Sequence, residues 1–335
     1  MKGGSRLPTR QKVMSYSQGD LAESKNVNVI RKKGKRMSFV TLSKQWQLYL
    51  MVSLPIVYIL IFCYVPMGGI IIAFKDFSMR RGIWGSEWVG LKYFHQFLAT
   101  PLFSQLLSNT ILLSLYSLVA GFFMPIILAL ALNEVQNVFF KKTVQMVTYF
   151  PYFISTVVMV GIVLQILSPQ GGLVNNVIEL LGGERVNFMG EPKLWRHIYV
   201  WSGVWQNTGY SAIIYIAALS GVDSEQIEAA VIDGVSRIQR VWYIDLPAIA
   251  PTATIMLILG IGGIMNVGFE KVYLMQNPLN LDVSEVISTF VYKKGLINYQ
   301  YSYATAVGLF NSVVNFILIL GANTMARHIG ETSLW

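Results

Sequence analysis

Long apolar runs alternate with shorter polar stretches along most of this chain. Six stretches contain no Asp, Glu, Lys or Arg: 48–74, 107–132, 143–167, 198–222, 250–269 and 303–326. A helix that crosses a bilayer needs about 20 mostly apolar residues. A charge at mid-membrane costs about 2.5–3.5 kcal/mol on insertion scales, so charge-free runs of this length are what spanning helices require. Helices of soluble proteins average only about 11–12 residues. The pattern predicts an all-α membrane protein with six transmembrane helices in a membrane domain over about 45–330.

The pattern changes between the fourth and fifth runs. In the segment 223–249, Ile227, Ala230, Val231, Gly234, Ile238, Val241 and Trp242 follow the i, i+3, i+4, i+7 spacing of an amphipathic helix. Asp223, with Gln226 three residues later, reads as a capping box at its start. Pro247 and Pro251 are expected to end it. Ala229, Ala230 and Gly234 are small enough for a partner's backbone to approach closely, so the segment reads as a docking element. Pro55, Pro66, Pro125 and Pro151 fall inside or beside spans and should kink them. Gly260, Gly262 and Gly263 should permit close helix packing.

Composition narrows the function. The chain is 54% hydrophobic and 13% charged, against about 25% charged in soluble domains. Cys63 is the single cysteine, and His95, His197 and His328 are far apart. No disulfide framework, zinc cluster or catalytic metal motif follows from these residues. No phosphate-cradling loop is present, so ATP and Mg, if used, must be bound by another chain. The net charge of +9 is concentrated: eleven of the 26 Lys and Arg lie in residues 1–44. That segment reads as a disordered, cytoplasmic basic tail, and beside a span it marks positive-inside anchoring, not nucleic-acid binding. The later loops do not follow the rule: ten Lys and Arg fall in loops assigned outside and five in those assigned inside. The first span usually dominates, and four spans then return 223–249 to the side of the N-terminus.

The docking segment carries a resemblance. Glu228-Ala229-Ala230, then Asp233-Gly234, then Ile244-x-Leu246-Pro247 resembles the EAA loop of ABC importer permeases, with Val235 where Ala is frequent. Trp88-Val89-Gly90-Leu91 and Phe94 resemble the Val-Gly-Leu-x-x-Phe element before the second span of carbohydrate-type permeases. Phe150-Pro151-Tyr152 resembles the start of their third span, and Gly171-Gly172-Leu173-Val174-Asn175 an element after it. Gly268-Phe269-Glu270, Asn277-Pro278 and Ser333-Leu334-Trp335 resemble the polysaccharide- and oligosaccharide-type branch. The resemblance implies the type I ABC importer permease architecture with a cytoplasmic EAA coupling helix. It also implies a second homologous permease subunit, two ATP-binding cassette subunits, an extracytoplasmic solute-binding protein and a sugar substrate. The place is a bacterial cytoplasmic membrane, with both termini, including 331–335, inside. In such a permease Glu228, Ala229, Ala230, Asp233, Gly234, Leu246 and Pro247 meet the ATPase.

A solute path needs polar groups at membrane depth, where they are expensive unless they face protein or water. Trp205, Asn207, Tyr210, Asn266, Glu270, Asn311 and Asn315 are the candidates. Amides donate to sugar hydroxyls, and Trp or Tyr rings stack on sugar C–H faces. Each polar residue also admits a plainer role as an interhelical hydrogen bond, and Glu270 with Lys271 can mark the outer interface. An ion-coupled secondary transporter would need charged coupling groups within the spans, which are almost absent. A membrane-embedded enzyme would need clustered Asp, Glu or His.

Overall fold

The computed structural model describes residues 46–329. The basic tail 1–44 and the end 331–335 lie outside the described residues. Contacts divide the chain between Val65 and Pro66 into two units. The first holds α1 (Trp46–Ile59), prolonged by a π-helical stretch at Leu60–Tyr64, and none of these residues is buried. A helix that is apolar all round suits lipid or another subunit.

The second unit begins with a 3-10 stretch, Gly68–Phe74, followed by a two-residue strand, β1 (Lys75–Asp76). β1 pairs antiparallel with β2 (Glu87–Trp88), Lys75 opposite Trp88 and Asp76 opposite Glu87. The sequence pattern gave no sign of this small ladder. It closes the loop ahead of α2 (Lys92–Leu98) and α3 (Leu102–Glu134). At 33 residues α3 is about 50 Å long, and Pro125 lies within it. Phe97 of α2 seats an aromatic cluster with Phe103, Phe290, Tyr303 and Phe310.

Among the described residues, four helical runs are long and apolar enough to cross a membrane: Trp46–Phe74, Leu102–Glu134, Arg237–Gly262 and Tyr301–Arg327. The run expected at 143–167 is not one straight helix. α4 (Val138–Tyr149) passes through a 3-10 turn, Phe150–Phe153, into α5 (Thr156–Ile166), and the two arms meet at 103°. Pro151 opens that turn without an N–H to donate, Ile154 is extended (ψ 129°), and Ser155 starts α5 by accepting from the Val158 N–H. Counted as one bent span, the pair makes a fifth. α7 (Pro192–Leu219) has 28 residues, but Ser202, Gln206, Asn207, Thr208 and Ser211 interrupt its apolar surface. Between α5 and α7, α6 (Leu173–Leu180) is pinned by fully buried Asn175, which donates to the carbonyls of Leu167, Ser168 and Val186.

The run expected at 250–269 is displaced toward the N-terminus. After α8 (Ser224–Ile232) and α9 (Arg237–Arg240), a π-helical stretch, Val241–Asp245, leads directly into α10 (Leu246–Gly262). Pro247 and Pro251 therefore do not end a helix. Pro247 sits in the first turn of α10, where a missing N–H costs least, and the Leu246 N–H has already shifted to the Val241 carbonyl. The helix stops at Gly262 because Asn315 takes its place there: its side chain donates to the Gly262 carbonyl at 2.5 Å and accepts from the Met265 N–H at 3.4 Å. The glycines do pack closely. A Cβ on Gly260 would lie 2.6 Å from Leu118 Cδ1, and one on Gly262 2.7 Å from Ile319 Cδ1.

α11 (Phe269–Met275), α12 (Leu281–Ser284) and α13 (Ile287–Tyr292) precede α14 (Tyr301–Ile329). α12 is tied to α3 by Asn109, which donates to the carbonyls of Asp282 and Glu285 and accepts from Arg196. Trp195 of α7, fully buried, donates to the Met275 carbonyl at 3.0 Å. Leu113, Met159, Trp195, Tyr199 and Val272 form the core these helices share.

Candidate functional site

Two regions hold the residues singled out by the sequence. The first is the segment from α8 to α9. It is not one continuous helix. Gly234 takes φ +74°, its N–H bonds to the Val231 carbonyl, and the Val235 N–H bonds to the Ala230 carbonyl. This is the Schellman closure of a helix, which needs a left-handed residue after the last turn. The capping box also lies elsewhere than expected. Asp223 caps α8 through the Glu225 N–H. The reciprocal box belongs to Ser236 and Gln239 at the start of α9.

Most of this segment's apolar side chains face away from their own chain. Val231, Ile232, Ile238, Trp242 and Tyr243 are exposed, Ile232 by 85%. Glu228, Ala229, Asp233, Gly234 and Pro247 are exposed as well, Leu246 is half-buried, and Ala230 alone is buried. Glu228 makes no ion pair among the described residues. Behind the surface lies a group that the sequence reading missed. Arg240 pairs with Glu134 at the end of α3 and faces buried Asp245 at 3.5 Å. Two carboxylates around one guanidinium join the base of α9 to α3. Charges that are largely buried must be paired, because removing one partner leaves the other uncompensated. Their separation in sequence, 134 against 240 and 245, hid the group.

The second region is a cavity of about 550 Å³ among α3, α5, α7 and α11, lined among others by Tyr152, Ser155, Gln206, Asn207, Ser211 and Lys271. Pockets of about 300–1,000 Å³ are the usual size for small ligands. Of the predicted path residues, Asn207 lines this cavity, its amide donating to the Gly203 carbonyl. Tyr210 backs it: its ring stacks on that of Tyr152 at 3.8 Å and 4°. Asn266 lines a neighbouring space of about 230 Å³ with Tyr199 and Gly268. Trp205 and Glu270 are exposed and line neither. Asn311 and Asn315 lie apart from this cavity. Asn315 caps α10, as described, and Asn311 borders an apolar space of about 930 Å³ with Phe269, Tyr292 and Leu309.

Lys271 has the least expected position. The residue beside it, Glu270, is exposed, but Lys271 is only 9% exposed, so the two do not mark an interface together. Its ammonium donates to the Tyr199 carbonyl at 2.6 Å and sits 4.5 Å above the Tyr199 ring. No carboxylate pairs with it among the described residues. Burial pushes its pKa from the ordinary lysine value down to about 7. Gly203 leaves room for it, since a Cβ there would meet the ammonium at 2.9 Å. Among the described residues no group of three or more His, Cys, Asp or Glu could hold a metal ion.

Comparison with known proteins places this geometry. Residues 121–330 match the family described as "binding-protein-dependent transport system inner membrane component". Protein LplB of Bacillus subtilis is 44% identical over 304 residues, covering 90% of this chain and 95% of that protein. The polygalacturonan/rhamnogalacturonan transport system permease protein YteP of the same species is 43% identical over 307 residues, covering 92% and 96%. Among solved structures, a bacterial ABC transporter involved in the import of the acidic polysaccharide alginate has a chain 38% identical to this one. It superposes with a TM-score of 0.81 over 87% of this chain and 98% of that one. A bacterial alginate ABC transporter in complex with an alginate pentasaccharide-bound periplasmic protein also has a chain 38% identical, with a TM-score of 0.81 over 88% of this chain and 98% of that one. Matched by the family over residues 121–330 and 44% identical to LplB over 90% of its own length, this chain belongs to the family of binding-protein-dependent transport system inner membrane components.

Proposed function

We propose that this chain is the permease subunit of an ATP-driven ABC importer and carries an oligosaccharide delivered by an extracytoplasmic binding protein. The likeness to the alginate importer over nearly its whole length is the observation that carries this reading. The complete importer holds a second, homologous permease subunit and two ATPase subunits, which bind ATP and Mg. In this reading the chain itself catalyses no reaction. The chain crosses a bacterial cytoplasmic membrane six times, α7 and the bent α4–α5 pair included, and both termini face the cytoplasm. The α8–α9 segment docks into the ATPase with its exposed apolar residues, and Glu228 at its flank meets a cationic partner. Arg240, held between Glu134 and Asp245, carries movement of that segment to α3. The polar cavity beside α7 lies on the sugar's route. No Asp or Glu lines it, which weighs against an ion-coupled transporter that would need a carboxylate there.

Proteoliposomes holding the two permease subunits, the ATPase and the binding protein test this directly. ATP-dependent accumulation of labelled oligosaccharide is the expected result. Accumulation driven by an ion gradient without ATP, or of non-sugar solutes only, would sink the proposal. Topology has its own test in a Cys63→Ala background. Single cysteines at the exposed positions Glu184 and Asn298 should react with an impermeant thiol reagent in intact cells, and one at Ser236 should not. Labelling at Ser236 would place the α8–α9 segment outside and remove it from reach of an ATPase.

A further inference from the structure

The Lys271 amine has no counter-ion among the described residues. It is nine-tenths buried and lines the 550 Å³ cavity. An ammonium has three donors, and one is used, on the Tyr199 carbonyl. Burying an unpaired charge is expensive, so an anion entering the cavity would favour the ammonium over the neutral amine. The rest of the lining is equally unspent. Gln206 donates to the Ile154 carbonyl and Asn207 to the Gly203 carbonyl, which leaves both amide oxygens free to accept from hydroxyls. Tyr152, backed by Tyr210, offers an aromatic face. Gly203 removes the side chain that would displace the ammonium. A cation, two amide oxygens and a ring face together fit one ligand chemistry: a sugar bearing a carboxylate.

We propose that the Lys271 ammonium recognises the carboxylate of an acidic, uronate-type oligosaccharide inside the permease, so that charged sugars are held there in preference to neutral ones. This rests on the oligosaccharide reading above and adds that the permease itself, beside the binding protein, distinguishes charge. The contact is a charge-assisted hydrogen bond in a confined site, the strong kind. The uncharged cavity groups hold the ring hydroxyls of either sugar.

The test is equilibrium binding to the assembled permease–ATPase complex without the binding protein. The two probes are tetragalacturonate and its carboxyl-reduced neutral counterpart, tetragalactose, equal in length and linkage. The wild-type complex should bind the acid at least tenfold more tightly. Lys271→Met should lower acid affinity to that of the neutral sugar. Lys271→Arg should keep the preference. A Lys271→Met complex that still prefers the acid overturns the proposal. Equal binding of both sugars by the wild type overturns it too and leaves the oligosaccharide reading standing. Binding of neither sugar overturns the proposal, and the oligosaccharide reading is then decided by the uptake assay above. Should Lys271→Met fail to assemble, the wild-type comparison decides alone.

Discussion

Replacing Gly209 with valine should abolish accumulation of the permease in the membrane. Gly209 lies fully inside α7, against the end of α4. A Cβ built there falls 2.0 Å from the Thr148 carbonyl oxygen, 2.4 Å from its carbon and 2.9 Å from the Tyr149 nitrogen. Those atoms are backbone, and the backbone at that point leads into the Pro151 turn that bends the third run by 103°. A flexible side chain can rotate away from a clash, whereas a helix end held by its own hydrogen bonds cannot. Overpacking usually costs about 1–3 kcal/mol where neighbours can adjust, and here the adjustment is separation of two helices. The core of Met159, Val160, Trp195, Tyr199 and Val200 then opens with it. Gly209→Ala should already lower abundance, although alanine favours a helix over glycine by about 1 kcal/mol. Gly161→Ala is the matched control, because a Cβ there meets nothing within 4 Å. Membrane abundance by immunoblot and thermal stability in detergent measure both. Wild-type levels of Gly209→Val would show that α4 and α7 do not pack as described.

Much of the fold was legible because lipid imposes a simple rule. Apolar runs free of charge coincide within a few residues with the helical run Trp46–Phe74, α3 and α14. The rule failed where helix ends are decided by side chains far away in sequence. Asn315 ends α10 at Gly262, so the charge-free run to 269 overstates the helix. In the other direction, Arg237 and Arg240 did not stop the helix from starting at 237, since Arg240 finds Glu134 and Asp245. The bend at Pro151 was visible as a proline but not as an angle, because the size of a kink depends on what packs inside it.

The candidate sites divide in the same way. The α8–α9 segment was readable from spacing and from Gly234, whose left-handed conformation no other residue type adopts as easily. The cavity was only half readable. Polar residues in apolar runs pointed to Asn207 and Tyr210. They also pointed to Asn311 and Asn315, which lie apart from it and, in the case of Asn315, cap a helix. Lys271 was passed over because it follows Glu270 at the edge of an apolar run. A pair of opposite charges in sequence looks self-compensating, and only the fold shows that one is exposed and the other is not.

Gly234→Asp should leave the permease folded and abundant while abolishing substrate-stimulated ATP hydrolysis and transport. Gly234 is exposed at φ +74°, and a Cβ there meets nothing of its own chain within 4 Å. The change therefore costs the fold only backbone strain, about 1–2 kcal/mol for an L residue in the left-handed region. Aspartate is among the residues that tolerate that region best. The docked state is different. Gly234 sits between exposed Val231 and Ile232 on one side and exposed Ile238 on the other. A carboxylate placed there is driven into an apolar contact with the ATPase, where Arg237, exposed three residues on, is the one cation of the segment not already paired. The penalty for a buried, unpaired ion is several kcal/mol, and each 1.4 kcal/mol is tenfold in affinity, so docking should weaken by about a hundredfold or more. Gly234→Asn separates the causes, since it brings the same size and the same tolerance of positive φ without the charge. It should retain more ATPase on purification than Gly234→Asp. Retention of the ATPase during affinity purification, stimulated ATP hydrolysis and uptake are the three measurements. Normal uptake by Gly234→Asp at normal abundance would show that the α8–α9 segment does not couple the ATPase to the membrane helices.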